Sequence, residues 1–163
     1  MREQTIKIYG IDELSEEAKE KAHEEYLTSG MFEYHWMDES IESIRAFTDL
    51  FGVKVKEYQI GTSCQSFVVT DADQDSFRWV KPSDMPSDSC PLTGYYLDDT
   101  LLLAFYTYAK SHDGDVKGAF DAAIDAALKD IVSDMEYQES FEYFKDCAFN
   151  NGLEFLENGE VYR

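Results

Sequence analysis

The sequence predicts an α+β fold, a small antiparallel sheet packed with about five helices and closed by a C-terminal hairpin. Three observations predict it. Apolar residues recur at three- and four-residue spacing in five segments, the signature of helices with one buried face. Short stretches rich in β-branched and aromatic residues alternate with polar ones, as half-buried strands do. Near the end, Asn158-Gly159 sits between two short apolar runs, where a tight hairpin turn belongs. With 163 residues the chain has the size of one ordinary domain, 1–163, able to build a core without a disulfide or a metal.

Residues 5–9 alternate with β-branched side chains and suit a short strand. Ser15 is placed to cap the helix that follows, with Glu16 and Glu17 in its first turn, where the helix dipole favours negative charge. Ala18, Ala22 and Tyr26 share one face of that helix, and Gly30 ends it. Met37, Ile41, Ile44, Phe47 and Leu50 mark a second helix over about 34–50, broken by Gly52. Strands over 53–60, 66–70 and 77–80 read most simply as an antiparallel meander. The stretch 81–94 holds Pro82, Pro86 and Pro91 among Ser and Asp, which predicts an exposed loop, a hinge or a binding loop. Leu101, Leu102, Phe105, Tyr108 and Ala109 mark a third helix ending near 111–115. Phe120, Ile124, Leu128, Ile131 and Met135 form the stripe of a long fourth, and Phe141, Phe144 and Ala148 that of a shorter fifth over about 139–149, closed by Asn151-Gly152. Residues 153–156 and 160–162 then pair across Asn158-Gly159, which favours a two-residue type I′ turn. There is no internal repeat and no low-complexity tract.

Charge is the strongest functional lead. Fourteen Lys and Arg stand against 34 Asp and Glu, a formal net charge of −20, in a chain with 11 Tyr, 11 Phe and 2 Trp to fold around. Strongly acidic chains with few aromatics stay disordered; this composition folds. A polyanion repels phosphates, which argues against direct binding of nucleic acid and for a basic partner. Three cysteines, Cys64, Cys90 and Cys147, lie far apart with no CxxC pair, so neither a disulfide framework nor a zinc site is expected and a reducing cytosol fits best. No leader-like N-terminus and no apolar run of about 18 residues stand out, so no membrane association is expected.

Catalytic and metal motifs are weak. Asp71, Asp73 and Asp75 occupy positions one, three and five of a calcium loop, but Ser76 stands at position six in place of Gly and Pro82 at position twelve in place of Glu. A solvated, Asp-rich β-turn accounts for them better. His23, His35 and His112 lie in no catalytic signature, and no Gly-rich phosphate loop is present. No cofactor, metal or catalytic residue is expected. Asp121, Asp125, Asp130, Asp134 and Glu136 flank the apolar stripe of the fourth helix on both sides, followed by Glu139. A solvated helix explains them on its own. The total charge adds a second reading, because duplex DNA carries one charge per about 1.7 Å and 20 charges match about one helical turn of it. Phe32, Tyr34 and Trp36 alternate before the second helix, and Tyr95-Tyr96 follow the Pro-rich loop. Core packing is their default role, but aromatics beside an acidic surface make good interface anchors.

Glu13-Leu14-Ser15, Glu17-Ala18-Lys19 and Lys21-Ala22 resemble the start of a widespread group of small phage and prophage proteins. Trp36 in an acidic helix, Phe51-Gly52-Val53 at the join to a strand, and the ending with Leu153, Phe155, Glu157-Asn158-Gly159-Glu160 and Tyr162 extend the likeness over about half the chain. Of that group's aromatic, Gly-rich central signature, the stretch IGTSCQSF at 60–67 keeps only a Gly, a Ser and a Gln. The resemblance implies an accessory protein of a mobile element, of α+β fold, in the bacterial host cytoplasm. Small acidic phage proteins of this kind include anti-restriction and anti-CRISPR inhibitors.

Charge and resemblance together give the expected function. It is a non-enzymatic inhibitor whose carboxylates occupy the basic groove of a host nucleic-acid-targeting complex, a Cas effector or a restriction enzyme. Asp121, Asp125, Asp130, Asp134, Glu136 and Glu139, with Asp98 and Asp99, would supply the charge, and Trp36, Tyr95 and Tyr96 the specificity. The alternatives are an interaction module that regulates one host or phage protein through the Pro-rich loop and the aromatics, and a small enzyme with His112 and carboxylates in a pocket.

Overall fold

Five helices and one two-stranded antiparallel sheet make up the protein in a computed structural model that describes residues 5–72 and 77–162. The helices are α1 (Glu16–Thr28), α2 (Met37–Leu50), α3 (Leu97–Ser111), α4 (Val116–Glu139) and α5 (Phe141–Asn150). The strands are β1 (Val55–Gln59) and β2 (Phe67–Thr70), and short 3-10 turns cover Ile11–Glu13 and Pro82–Asp84. The architecture is α+β. The chain divides into two compact units, one of residues 35–135 and one joining the residues up to Tyr34 to those from Glu136 onward.

The unit 35–135 is organised by phenylalanine. Phe47 and Phe51 from the end of α2, Phe105 from α3, Phe120 from α4 and Phe77 from the segment after β2 form one cluster with ring centroids 5.1–6.1 Å apart. All five are buried, and each contributes about 2–3 kcal/mol through removal of its ring from water. The edge and tilted ring geometries add to this. Around them lie Ile41 and Ile44 of α2, Leu97, Leu101 and Leu102 of α3, and Ile124 and Ile131 of α4, so the apolar stripes of three helices meet in one core. At the end of α2, Gly52 takes a left-handed φ of 72° and turns the chain so that Val53 is buried and β1 begins.

β1 pairs with β2 in the register Val55↔Thr70, Glu57↔Val69, Tyr58↔Val68 and Gln59↔Phe67, with a bulge between Val55 and Glu57. Asp71 closes the ladder. Its carboxylate accepts from the Lys54 amide at 2.6 Å and faces Lys56 Nζ at 3.1 Å, and these bonds hold its pKa below the usual carboxylate range. Asp71 is thus a sheet-closing residue; the remainder of the Asp-rich stretch, 73–76, lies outside the described residues. The expected third strand over 77–80 does not form. Burial of Phe77 against Phe51 and Phe120 draws this segment onto the helices, and the Arg78 amide donates to the Phe51 carbonyl (2.7 Å) instead of to a neighbouring strand.

In the other unit, Ser15 caps α1 by accepting the Ala18 amide at 3.3 Å, and the helix stops after Thr28 before Gly30 at φ 78°. Ala18 and Ala22 are buried beside Phe144 and Ala148 of α5, together with Ile11, Leu14 and Phe155. Small residues on both helices permit the close approach. Tyr26 joins the edge of this core, and burial pushes its hydroxyl up to about 12. His23 stacks on Phe144 (5.5 Å) and its Nε2 lies 2.8 Å from the Glu139 carbonyl, a packing role for this histidine. The C-terminal hairpin forms as the bridge Phe155↔Val161, with Phe155 also bridging Tyr9. The expected strand over 5–9 is reduced to that single bridge. The loop also differs from a two-residue type I′ turn. Leu156 pairs with Glu160, leaving Glu157, Asn158 and Gly159 in a three-residue loop, and only Gly159 has positive φ (85°), whereas type I′ needs two such residues.

Gly159 is fixed by contact as well as by dihedral, because a Cβ there would collide with the Ala18 carbonyl oxygen of α1. Gly30 has a similar φ with nothing near its Cβ position. Gly159→Ala is therefore expected to cost about 2–4 kcal/mol and Gly30→Ala about 1–2 kcal/mol, read from urea midpoints of the two variants. Equal losses would show that the hairpin does not lean on α1.

Candidate functional site

The site is built on the first turn of α3. Asp98 is fully buried, and its carboxylate accepts from the amides of Leu92 (2.9 Å), Thr93 (2.7 Å) and Gly94 (3.1 Å) and from the Thr93 hydroxyl (3.1 Å). Thr93 Oγ1 in turn lies 2.9 Å from Ser43 Oγ of α2. A buried carboxylate is tolerated when such donors replace its water. Asp98 is thus a structural residue, and the expectation that it faces a partner is corrected. The Pro-rich stretch before it is pinned too: Met85 is buried and the Tyr106 hydroxyl donates to the Pro86 carbonyl at 2.9 Å. It is no hinge.

That loop delivers Tyr95 and Tyr96 to the helix start. Their rings meet edge to face at 4.5 Å, and Tyr95 stacks on Trp36, ahead of α2, at 6.2 Å and 23°. Three aromatics proposed separately from the sequence thus form one surface group. Trp36 keeps 48% and Tyr96 41% of its surface exposed. Tyr96 is also close enough to Asp130 and Asp134 of α4 for both carboxylates to raise its pKa, after burial, the largest cause. Asp130 accepts from Thr100 of α3 at 2.8 Å, which fixes it beside α3. Leu103, seven residues beyond Tyr96 and so within about 20° of it around the helix, is exposed and prolongs the apolar surface. Sequence reading passed over it. The signal was three consecutive leucines, which cannot all face one side of a helix.

The remaining acids are arranged otherwise. Asp99 is exposed but engaged: its carboxylate accepts from the Cys90 amide (2.7 Å) and from Ser89, and these bonds hold its pKa low. Cys90 sits at a left-handed φ of 44° under that bond. On the outward side of α4, Lys117, Asp121, Asp125 and Lys129 follow at four-residue intervals, and Lys117 Nζ lies 2.6 Å from Asp121. Lysines bracket the two aspartates of this row, and Lys117 pairs with Asp121, so the carboxylates there form no long uninterrupted row. Glu136 and Glu139, in the last turn of α4, belong to the other unit. His112, exposed at the end of α3, stacks on Tyr108 at 3.9 Å with Nδ1 3.0 Å from the Tyr108 carbonyl.

Among the described residues no group of three or more His, Cys, Asp or Glu side chains is arranged to hold a metal ion, and no helix is long and apolar enough to cross a membrane. Comparison with protein-family models, with curated proteins and with solved structures gives no match. The arrangement offers ring faces to cations or apolar groups, with Asp130 and Asp134 near Tyr96.

Removing the buried Asp98 carboxylate leaves three loop amides without their acceptor. Asp98→Ala is expected to lose about 3–5 kcal/mol of stability, whereas Asp99→Ala, at the exposed end of the same turn, loses under about 1.5 kcal/mol; denaturant unfolding of both variants checks the difference.

Proposed function

We propose that this protein is a non-enzymatic inhibitor of phage origin that binds a basic surface of a host nucleic-acid-targeting complex in the bacterial cytoplasm, a Cas effector or a restriction enzyme. The observation that carries the reading is the grouping of Trp36, Tyr95 and Tyr96 in one partly exposed cluster, with the half-buried carboxylates of Asp130 and Asp134 near enough to Tyr96 to act on its hydroxyl. A groove that binds phosphates is lined with Arg and Lys. Ring faces attract such cations, and more strongly once water is displaced. Neighbouring carboxylates pair with them, and the net charge of −20 speeds the encounter. The resemblance of residues 13–22 and of the C-terminal hairpin to phage and prophage accessory proteins supports the defence setting. The patch, more than a DNA-like row along α4, is the anchor in this reading, since Lys117 pairs with the first acid of that row and Lys129 breaks it after Asp125.

A second reading has its own support. Interleaved lysines on α4 and an aromatic anchor suit a module that regulates one host or phage protein through largely apolar contact, without occupying a phosphate groove.

Tagged protein incubated with a lysate of defence-proficient bacteria, washed in parallel at low and high salt and analysed by mass spectrometry, separates the two. Inhibition predicts capture of a Cas or restriction subunit, loss of at least about 90% of it with the Trp36→Ala/Tyr96→Ala variant, and weaker retention at high salt. Capture of another protein, insensitive to salt but sensitive to the same variant, supports the regulatory module. Capture unaffected by that variant contradicts both.

A further inference from the structure

The unit that carries α1 and α5 offers a second surface of a different kind. Tyr9 exchanges both backbone hydrogen bonds with Phe155, its amide and carbonyl each at 2.9 Å. Where the chain continues that bridge toward its start, β alternation places the amide and carbonyl of Ile8, and those of Ile6, on the side away from Phe155. Ile6, Lys7 and Ile8 make no hydrogen bond among the described residues. Both isoleucines are exposed. Among the described residues the backbone of 6–8 is thus unpaired beside the Tyr9–Phe155 bridge, and a chain that extended the bridge would find a template there.

Ile8 also lines a groove of about 480 Å³ together with Phe149 and Leu153, and Asp12, Glu13 and Glu154 stand around it. Phe149 is 74% exposed, a large apolar side chain kept in water beside a concave surface. Asp12 is held by Lys145 at 2.7 Å and Glu13 by the Gly10 amide at 2.8 Å, so the rim carries three carboxylates against one ammonium.

We propose that this edge and groove take an extended, basic segment of another protein by strand addition. A residue placed opposite Ile8 shares its face of the sheet, so an apolar side chain there lands beside Ile8 on the groove, against Phe149 and Leu153. Basic side chains flanking it meet the carboxylate rim. A second copy of this chain is a poor occupant, because two bodies of charge −20 repel. Backbone pairing supplies affinity and the groove supplies selectivity, the division of labour in strand-adding peptide recognition.

The test uses the full chain labelled with nitrogen-15 and three kinds of capped peptide, the last in two forms. The first is a heptapeptide of alternating Lys and Val; the second replaces Lys with Glu; the third is the Lys peptide N-methylated at alternate residues, prepared in both phases so that each strand edge is blocked once. The proposal predicts shifts of the Ile6, Lys7, Ile8, Phe149 and Leu153 amides with the first peptide and none with the second. One N-methylated phase fails to bind while the other binds. Phe149→Ser, a change at an exposed position that leaves the remaining spectrum in place, weakens the Lys peptide about tenfold. Shifts scattered over acidic residues, or equal binding by both N-methylated phases, would reduce the effect to charge alone and overturn the proposal. So would the absence of shifts with the Lys peptide, or concentration-dependent shifts of the same amides without any peptide, which would make a second copy the occupant.

Discussion

A single buried carboxylate sets the geometry of the aromatic patch. Asp98 sits on the first turn of α3 with no exposed surface and four hydrogen bonds from residues 92–94. An ionised carboxylate left in the interior without partners costs several kcal/mol, so the loop amides must stay where the carboxylate needs them. Tyr95 and Tyr96 follow directly, and their positions are inherited from that constraint. Thr93 passes it on to Ser43, and so to α2, ahead of which Trp36 stacks on Tyr95.

Charge and core divide the remaining work. The five-phenylalanine cluster and the helix stripes around it supply the stability that a charge of −20 opposes. Exposed ion pairs such as Lys117–Asp121 and Arg45–Glu42 add little each. They do shape the surface: where Lys117 pairs with Asp121 and Lys129 follows Asp125, the negative field along α4 is blunted.

Much of this was legible in the sequence, because helix signals are local. Ser15 caps α1, Ala18 and Ala22 form its inner face, and Ile41, Ile44 and Phe47 of the α2 stripe and Phe120, Ile124, Leu128 and Ile131 of the α4 stripe are buried, while Met37, Leu50 and Met135 at the stripe ends are half-buried. Strand signals were less reliable. Phe77 has the residue type of a strand but is captured by Phe51 and Phe120, and Asn158-Gly159 sits in a three-residue loop set by contact with α1. Of the candidate site, the residue types were readable and the grouping was not. Nothing local distinguishes Asp98, which is buried, from Asp99, which is exposed, and nothing brings Trp36 to Tyr95 except the packing of α2 beside the start of α3.

Amide hydrogen exchange at Leu92, Thr93 and Gly94, followed by NMR in the full chain, tests the central claim most directly. If Asp98 holds these amides as described, they exchange only with the opening of the whole unit, as slowly as core amides of α3 such as that of Phe105. Exchange at the rate of the neighbouring exposed stretch 87–89 would contradict that account, and with it the fixed placement of the aromatic patch.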